Sequence, residues 1–377
     1  MIPKINVHFS LYTAGKAFIE VLQRKPTPTP QENFFFINHA RTGLRIALTA
    51  LQLPPNSKIG VGMYNCYTVM NAIKKAGYIP VFIDVTNDFL LDIQDLKKKN
   101  KDISALIVTH LFGIPNNMDE ITYICQNIPI IEDCAHAYLS KDSSGVLVGM
   151  RGDCSVYSIG QGKFPSIGDG GILQVNNAKL LPIVEQEYSK LANSTLKQEI
   201  MAIAQSVVKS VLHKPFIYRF VLPLKRKSQE KKMSENTYGH TEKHIYSYVL
   251  SLYKKEKPRV TTYLKKQQNN VRRLLPILEN IKDVYVPCID TDNNNCFMLP
   301  FVCEDRISLI RNCEKNGIEI APHFSKCIEW GHLFGYTLGD CPNAEKLAQQ
   351  MLVIPCSYNL SKSQVKKIVN VLIEYSL

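Results

Sequence analysis

The sequence predicts an α/β protein, with a mainly parallel sheet sandwiched by helices and a smaller α+β domain at the C-terminal end. Three observations carry that expectation. Between residues 38 and 175, short continuous apolar runs alternate with helical patterns. Polar residues suited to chemistry stand where several of those runs end. From about residue 255 the pattern becomes a long polar helix followed by short strands and helices. A chain of 377 residues exceeds the usual single core. The expected division is a large domain over residues 1–254 and a small one over 255–377.

The strand candidates are the runs 58–63, 80–84, 105–109, 128–131, 155–158 and 171–175. Their apolarity is continuous rather than alternating, which marks strands covered on both faces. Helix candidates lie between them, such as Val69 to Ala76 and Asn117 to Gln126. Strand, helix, strand in repetition implies right-handed crossovers and a mainly parallel sheet, whose ligands sit beyond the carboxyl ends of the strands. Residues 178–224 read as helical and lead into the basic tract Lys225-Arg226-Lys227-Ser228-Gln229-Glu230-Lys231-Lys232. That stretch is too interrupted for a membrane span. Its ordinary reading is a packing helix followed by a solvated loop, and its sharper one is an interfacial contact with anionic lipid across residues 200–232. Beyond it come a polar helix from Val260 to Leu275, ending before Pro276, a loop at 290–295 and a strand-like run at 296–299.

Composition narrows the class. The chain is 45% hydrophobic and 21% charged, as soluble globular domains are. Its N-terminus lacks the charged and then apolar pattern of a signal peptide. The 11 cysteines show no paired metal spacing. They fit a reducing, cytoplasmic setting with thiols as small core residues and no metal site. The net charge of +12, from 45 Lys and Arg against 33 Asp and Glu, favours anionic partners. No nucleic-acid-binding pattern accompanies it, which leaves anionic lipid and a phosphorylated substrate, and charge alone does not decide between them.

The chemistry centres on Lys163. It follows Tyr157-Ser158-Ile159-Gly160-Gln161-Gly162 and precedes Gly168-Asp169-Gly170-Gly171. Upstream, the run Ile130-Ile131 ends in Glu132-Asp133 and continues to His136. A carboxylate at one strand end and a lysine in a glycine-rich loop beyond the next suit pyridoxal 5'-phosphate. The amine condenses with the cofactor aldehyde, and the carboxylate pairs with the pyridine nitrogen.

With these residues in place, the chain resembles the DegT/StrS-type sugar aminotransferases, pyridoxal phosphate enzymes of the aspartate aminotransferase-like fold type I. The resemblance runs in order through Asn38-His39-Ala40-Arg41-Thr42-Gly43-Leu44, Ala76 to Val85, Thr109-His110-Leu111-Phe112-Gly113 with Met118-Asp119, Glu132-Asp133, Lys163 to Gly171, and Ala344 to Pro355. It implies that Lys163 carries the cofactor and shuttles a proton, while Asp133 holds the pyridine nitrogen protonated. It further implies that Thr42 and Ser158 place hydroxyls on the phosphate, that Arg41 contacts phosphate or a substrate anion, and that His136 lies beside the ring. Where the family stacks an aromatic residue on the ring, this chain has Cys66, with Tyr67 beside it. Either Tyr67 turns in or another group, such as His136, covers the ring; Cys66 itself reads as a buried small residue.

The same resemblance implies a homodimer with shared active sites. The neighbouring subunit would contribute from Asn236, Tyr238, His240 and Thr241, and His323 would lie toward the substrate. The implied reaction moves an amino group from an amino acid donor such as glutamate to an anionic, nucleotide-linked keto-sugar, for surface polysaccharide or a secondary metabolite. The alternatives are a dehydratase or other carbanion chemistry on the same scaffold, and a non-catalytic cofactor-binding protein. Related dehydratases carry histidine in place of the lysine, and simple binding needs neither Lys163 nor Asp133.

Overall fold

A computed structural model gives the architecture, and the structure describes residues 1–5, 9, 11–23, 32–229 and 241–376. Ten strands form two sheets. They are β1 (Phe34–Ile37), β2 (Lys58–Gly62), β3 (Ile79–Ile83), β4 (Ala105–Thr109), β5 (Ile130–Asp133), β6 (Cys154–Ser158), β7 (Gly171–Val175), β8 (Val284–Tyr285), β9 (Leu299–Cys303) and β10 (Met351–Ile354). The first seven make one sheet in the order β1-β7-β6-β5-β4-β2-β3. Its five-strand body, β6-β5-β4-β2-β3, is parallel, and helices cover both faces, as the alternating pattern predicts. At one edge β7 runs antiparallel to β6, and β1 antiparallel to β7. Strands β4 and β5 are buried at nearly every position, which is why their sequences are continuously apolar until the carboxylates of β5.

The second sheet has the antiparallel order β10-β9-β8 and a core of its own, built on Leu299, Phe301, Leu352 and Ile354 with Leu274, Leu278 and Ile368 from covering helices. Ile2, from the opposite end of the chain, packs into that core and bridges to Ile318.

Three expectations are corrected. Strand β1 has no counterpart in the sequence reading; its Phe34-Phe35-Phe36 run pairs with β7, from Phe34 opposite Gln174 to Ile37 opposite Gly171. The helix expected to stop before Pro276 continues to Glu279. Proline there falls within the closing turns, where it removes a single amide, and continuing keeps Leu274 and Leu278 on the buried face. The run at 296–299 is a turn before it is a strand, because side chains claim its amides. Cys296 N–H donates to Asn294 Oδ1 (2.5 Å) and Phe297 N–H to Asn295 Oδ1 (2.9 Å), so the ladder starts only at Leu299.

One carboxylate ties the two sheets together. The helix Pro342–Gln350 has Cys341 at its N-cap position, with no side-chain cap bond of its own. Its exposed amides are met instead by Asp84, just past β3: Oδ2 accepts from Asn343 N–H (3.0 Å) and Oδ1 from Ala344 N–H (2.9 Å). A second bond to Val85 N–H (2.8 Å) fixes Oδ1. Because a lost N-cap costs about 1–2 kcal/mol, Asp84→Ala is expected to destabilise the protein by about that amount. Urea denaturation of the two proteins checks this; an unchanged midpoint would mean that the clamp adds nothing.

Candidate active site

The carboxyl ends of the parallel strands open into a cavity of about 390 Å³. Asp133 comes from the end of β5, Ser158 from the end of β6, Thr109 from the end of β4, and Asn65 and Cys66 from the turn after β2. The loop from β6 to β7 adds Gln161 and Lys163, and the C-terminal part of the chain closes the space with Phe324 and Trp330.

At one end of the cavity the groups suit an anion. The helix Ala40–Ala50 begins there with His39 at the N-cap position and no side-chain cap bond. Its first turn lies against the cavity beside Arg41 and Ser158. Leading amides of a helix, a guanidinium and a hydroxyl are the donors a phosphate needs. Gly171 makes the arrangement possible: a Cβ there would stand 2.5 Å from Ala40 N, so only glycine lets β7 lie this close to the start of the helix.

Two further ionisable groups on the lining, buried Asp133 and half-buried Lys163, pull toward neutrality. Burial raises the Asp133 carboxyl above its ordinary range, partly offset by the Ala135 N–H (3.1 Å from Oδ1), Lys163 and His110. Burial lowers the Lys163 amine, opposed by Cys66 and Asp133. The Lys163 Nζ stands 5.1 Å from the centroid of the Phe297 ring. A tight turn holds the lysine, with Lys163 N–H on the Gly160 carbonyl (3.0 Å) and Gly162 N–H on Ser166 Oγ (3.1 Å).

His136 lines the cavity as a neutral ring, held well below its ordinary pKa by burial and then by Lys163 and His323. Its Nδ1 accepts from Phe112 N–H (3.3 Å), so Nε2 carries the proton. The ring lies nearly parallel to Phe324, at 14° with centroids 5.7 Å apart. Trp330 also lines the cavity and packs edge-on against Tyr67 at 6.4 Å.

The cavity thus gathers Arg41, Cys66, Asp133, His136, Ser158 and Lys163 from the sequence-based candidates. Others lie elsewhere. Thr42 is fully buried and its hydroxyl donates to Asn38 Oδ1 (3.1 Å), just before the N-cap of its helix. Tyr67 does not turn in; it packs on Phe334 (5.4 Å) and Trp330, beneath the C-terminal part. His323 is neither solvated nor on the lining. It is half-buried against the rings of Phe112, His136 and Phe324, and its carbonyl accepts the Tyr64 hydroxyl. Tyr238 and His240, with Asn236, fall outside the described residues, while the Thr241 carbonyl accepts from Asn38 Nδ2 (2.8 Å).

Asn65, Thr109, Gln161, Phe324 and Trp330 went unnoticed in the sequence. Asn65 Nδ2 donates to Thr109 Oγ1 (2.8 Å) while its Oδ1 accepts from Cys66 N–H (2.7 Å), bracing the turn that carries Cys66. Gln161 stood within the glycine-rich motif and could have been named. Trp330 gave no local signal, since only folding brings it to the cavity.

The lining fits pyridoxal phosphate on its own chemistry. It gathers around one space an anion cradle, a buried carboxylate, a half-buried amine and flat rings. Neither Oε1 nor Nε2 of Gln161, both shielded from solvent, meets a hydrogen-bond partner among the described residues.

Comparison with known proteins gives a consistent picture. The model of the DegT/DnrJ/EryC1/StrS aminotransferase family matches residues 32–201 and 255–373. GDP-perosamine synthase of Escherichia coli O157:H7 is 31% identical over 148 residues, which span 38% of this chain and 40% of that protein. A UDP-4-amino-4-deoxy-L-arabinose–oxoglutarate aminotransferase of Shewanella sediminis is 22% identical over 95% of this chain and 90% of its own. Among solved structures, the aminotransferase TlmJ of Streptoalloteichus hindustanus shares the fold with a TM-score of 0.77 at 17% identity, covering 100% of this chain and 98% of that one. The PLP-form of the sugar aminotransferase Spr1654 from Streptococcus pneumoniae does so at 0.76 and 15% identity, covering 99% and 98%.

The raised pKa of Asp133 has a measurable consequence. In the ligand-free protein its folded pKa lies above the unfolded one, so stability falls as pH rises through the window between the two. Asp133→Asn removes the penalty. Ligand-free Asp133→Asn is therefore expected to be more stable than the parent at neutral pH, by on the order of 1 kcal/mol. The advantage should vanish below the ordinary aspartate range. Urea titrations across pH check it, and a constant or reversed difference would refute the assignment.

Proposed function

The chain belongs to the DegT/DnrJ/EryC1/StrS aminotransferase family, and from that premise we propose that it is a pyridoxal phosphate-dependent aminotransferase acting on a nucleotide-linked keto-sugar. Glutamate is the proposed donor. The observation that carries the reading is the meeting, in one cavity, of Lys163 and Asp133 from separate elements with the Arg41 and Ser158 anion cradle. The names of the relatives point to the substrate class, since GDP- and UDP-sugar enzymes recur among them. The share of the GDP-perosamine synthase covered is small, so the sugar itself stays open in this proposal.

When bound, pyridoxal phosphate supplies an electron sink that makes a proton next to an amine removable. The chain's own residues do the rest. Arg41, Ser158 and the leading amides of the helix Ala40–Ala50 hold the phosphate. Asp133, made basic by burial, is suited to share a proton with the pyridine nitrogen. Burial lowers the Lys163 amine, which suits it to take up a proton and return it at the next carbon. His136 presents a neutral ring face, because burial disfavours its charged form. We place the domain boundary near residue 254, so that the small domain brings Phe324 and Trp330 onto a cavity built by the large one.

Trp330 takes the place left empty by Cys66. It is the only tryptophan in the chain, so its emission reports on the cavity alone. Loading with pyridoxal phosphate is expected to quench that emission, and Trp330→Ala to release the cofactor about 10-fold more readily. Unchanged emission on loading would remove Trp330 from the ring.

The reaction is tested by visible absorbance. Reconstituted protein is expected to show a cofactor band that glutamate bleaches and a keto acid restores. Lys163→Ala should lose turnover by roughly 1,000-fold or more. A band that no amino acid alters would overturn the aminotransferase reading, and failure to take up cofactor would overturn the site.

A further inference from the structure

The helix Leu196–Leu212 packs Ala202 and Ile203 into the core, yet it keeps further apolar side chains on its outward face. Its inward face carries Glu199, Ala202, Ile203, Ser206 and Ser210, all buried. The polar members of that face are committed to the protein. Glu199 accepts from Ser247 Oγ (2.6 Å) and Ser194 Oγ (2.7 Å), and Ser210 Oγ accepts from Phe9 N–H (2.9 Å). The outward face carries Ile200, Met201, Val208 and Val211, all exposed. The following helix, Pro215–Gln229, continues the apolar surface with Phe216, Phe220 and Leu224 at four-residue spacing, 83%, 66% and 71% exposed. Ordinary amphipathic helices bury such a stripe; here seven apolar side chains across two consecutive helices face outward together.

The charges around this surface say what covers it. From Leu196 to Gln229 the sequence holds seven lysines and arginines and one acidic residue, and that one, Glu199, is buried. Lys197, Lys209, Lys214 and Arg219 are exposed beside the apolar side chains. A second copy of the chain docked here about a two-fold axis would set these cations against one another. An anionic surface with an apolar interior meets both halves of the pattern. No helix among the described residues is long and apolar enough to cross a membrane, so the contact lies in the surface plane. Residues 202–254 also fall outside the match to the family model.

We propose that the helices Leu196–Leu212 and Pro215–Gln229 form a docking face for an anionic phospholipid bilayer, with Phe216, Phe220 and Leu224 in the headgroup zone and the flanking lysines and arginines on lipid phosphates. This inference is independent of the reaction proposed above.

Co-sedimentation of the full chain with vesicles of phosphatidylcholine, with and without phosphatidylglycerol, tests it. Binding is expected with the anionic vesicles at low salt, weakening as salt rises. Phe216→Ser/Phe220→Ser should reduce binding on the order of 100-fold. Lys214→Glu/Arg219→Glu should reduce it on the order of 10-fold. All four positions are exposed, so circular dichroism should be unchanged in both variants. Three results would overturn the proposal: no sedimentation of the parent with anionic vesicles at low salt, full binding by the double-serine variant, or equal binding to neutral vesicles. A parent that ignores vesicles, with a serine variant that turns from dimer to monomer in light scattering, would assign the face to a second copy instead.

Discussion

The site rests on a carboxylate that never touches the cavity. Glu132 lies in β5, fully buried, one residue before Asp133. Its Oε1 accepts from Arg151 N–H (2.8 Å) and Gly152 N–H (2.6 Å), and its Oε2 from Gly149 N–H (2.9 Å) and His110 Nε2 (3.1 Å). Four donors on two oxygens are close to saturation. Burial alone would raise this carboxyl, but the His110 bond and the amides outweigh it and hold Glu132 below the usual carboxylate range. His110 is fixed in turn, because its Nδ1 accepts from Asn116 N–H (3.1 Å). One buried anion therefore gathers the loop before β6 and the end of β4 onto the middle of the sheet.

Neighbouring side chains on a strand point to opposite faces, and β5 uses that rule to give two adjacent carboxyls opposite properties. Glu132 faces the donors and stays charged. Asp133 faces the cavity with the amide of Ala135 as its hydrogen-bond donor, and burial pushes its pKa the other way. The first fixes the strand so that the second is presented without slack. Removing Glu132 would leave three amides and an imidazole N–H unsatisfied in the interior, a larger cost than any single hydrogen bond. His110, Glu132 and Cys134 also stand together closely enough to resemble a metal cluster. The imidazole nitrogens and both carboxylate oxygens are already engaged in these bonds, which identifies the group as an internal brace.

Much of this could be read from the sequence, and the reason is local. Strands buried on both faces write continuous apolar runs, and β2 to β7 fall where those runs do. Lys163, Asp133 and Ser158 sit at strand ends or in glycine-rich loops, positions that periodicity and turn residues mark. What escaped depends on distant contacts. Thr42 had the right residue type beside the anion cradle, yet the helix turn aims its hydroxyl at Asn38. Tyr67 was one of two candidates to cover the ring, and the aromatic cluster of Trp330 and Phe334, more than 260 positions later in the sequence, draws it away. Trp330 itself could be assigned only after the two sheets were seen to share the cavity.

The helix Leu196–Leu212 shows the same limit from the other side. Its sequence carries a clear apolar period, and the natural expectation is that the apolar stripe faces the core. The structure meets this only in part, keeping Ala202 and Ile203 inward, because the polar face has specific work to do. Glu199 supplies the N-terminal amides of the helix Ser247–Glu256 with an acceptor, taking Ser247 N–H (3.1 Å) and the Ser247 hydroxyl, and Ser210 receives a backbone amide from Phe9. A buried carboxylate that is hydrogen-bonded this fully cannot be turned to solvent without stranding its donors. The polar contacts thus set the rotation of the helix, and the remaining apolar side chains are left outside as a consequence. Periodicity reveals that a helix has two faces; only the hydrogen-bond partners decide which of them looks inward.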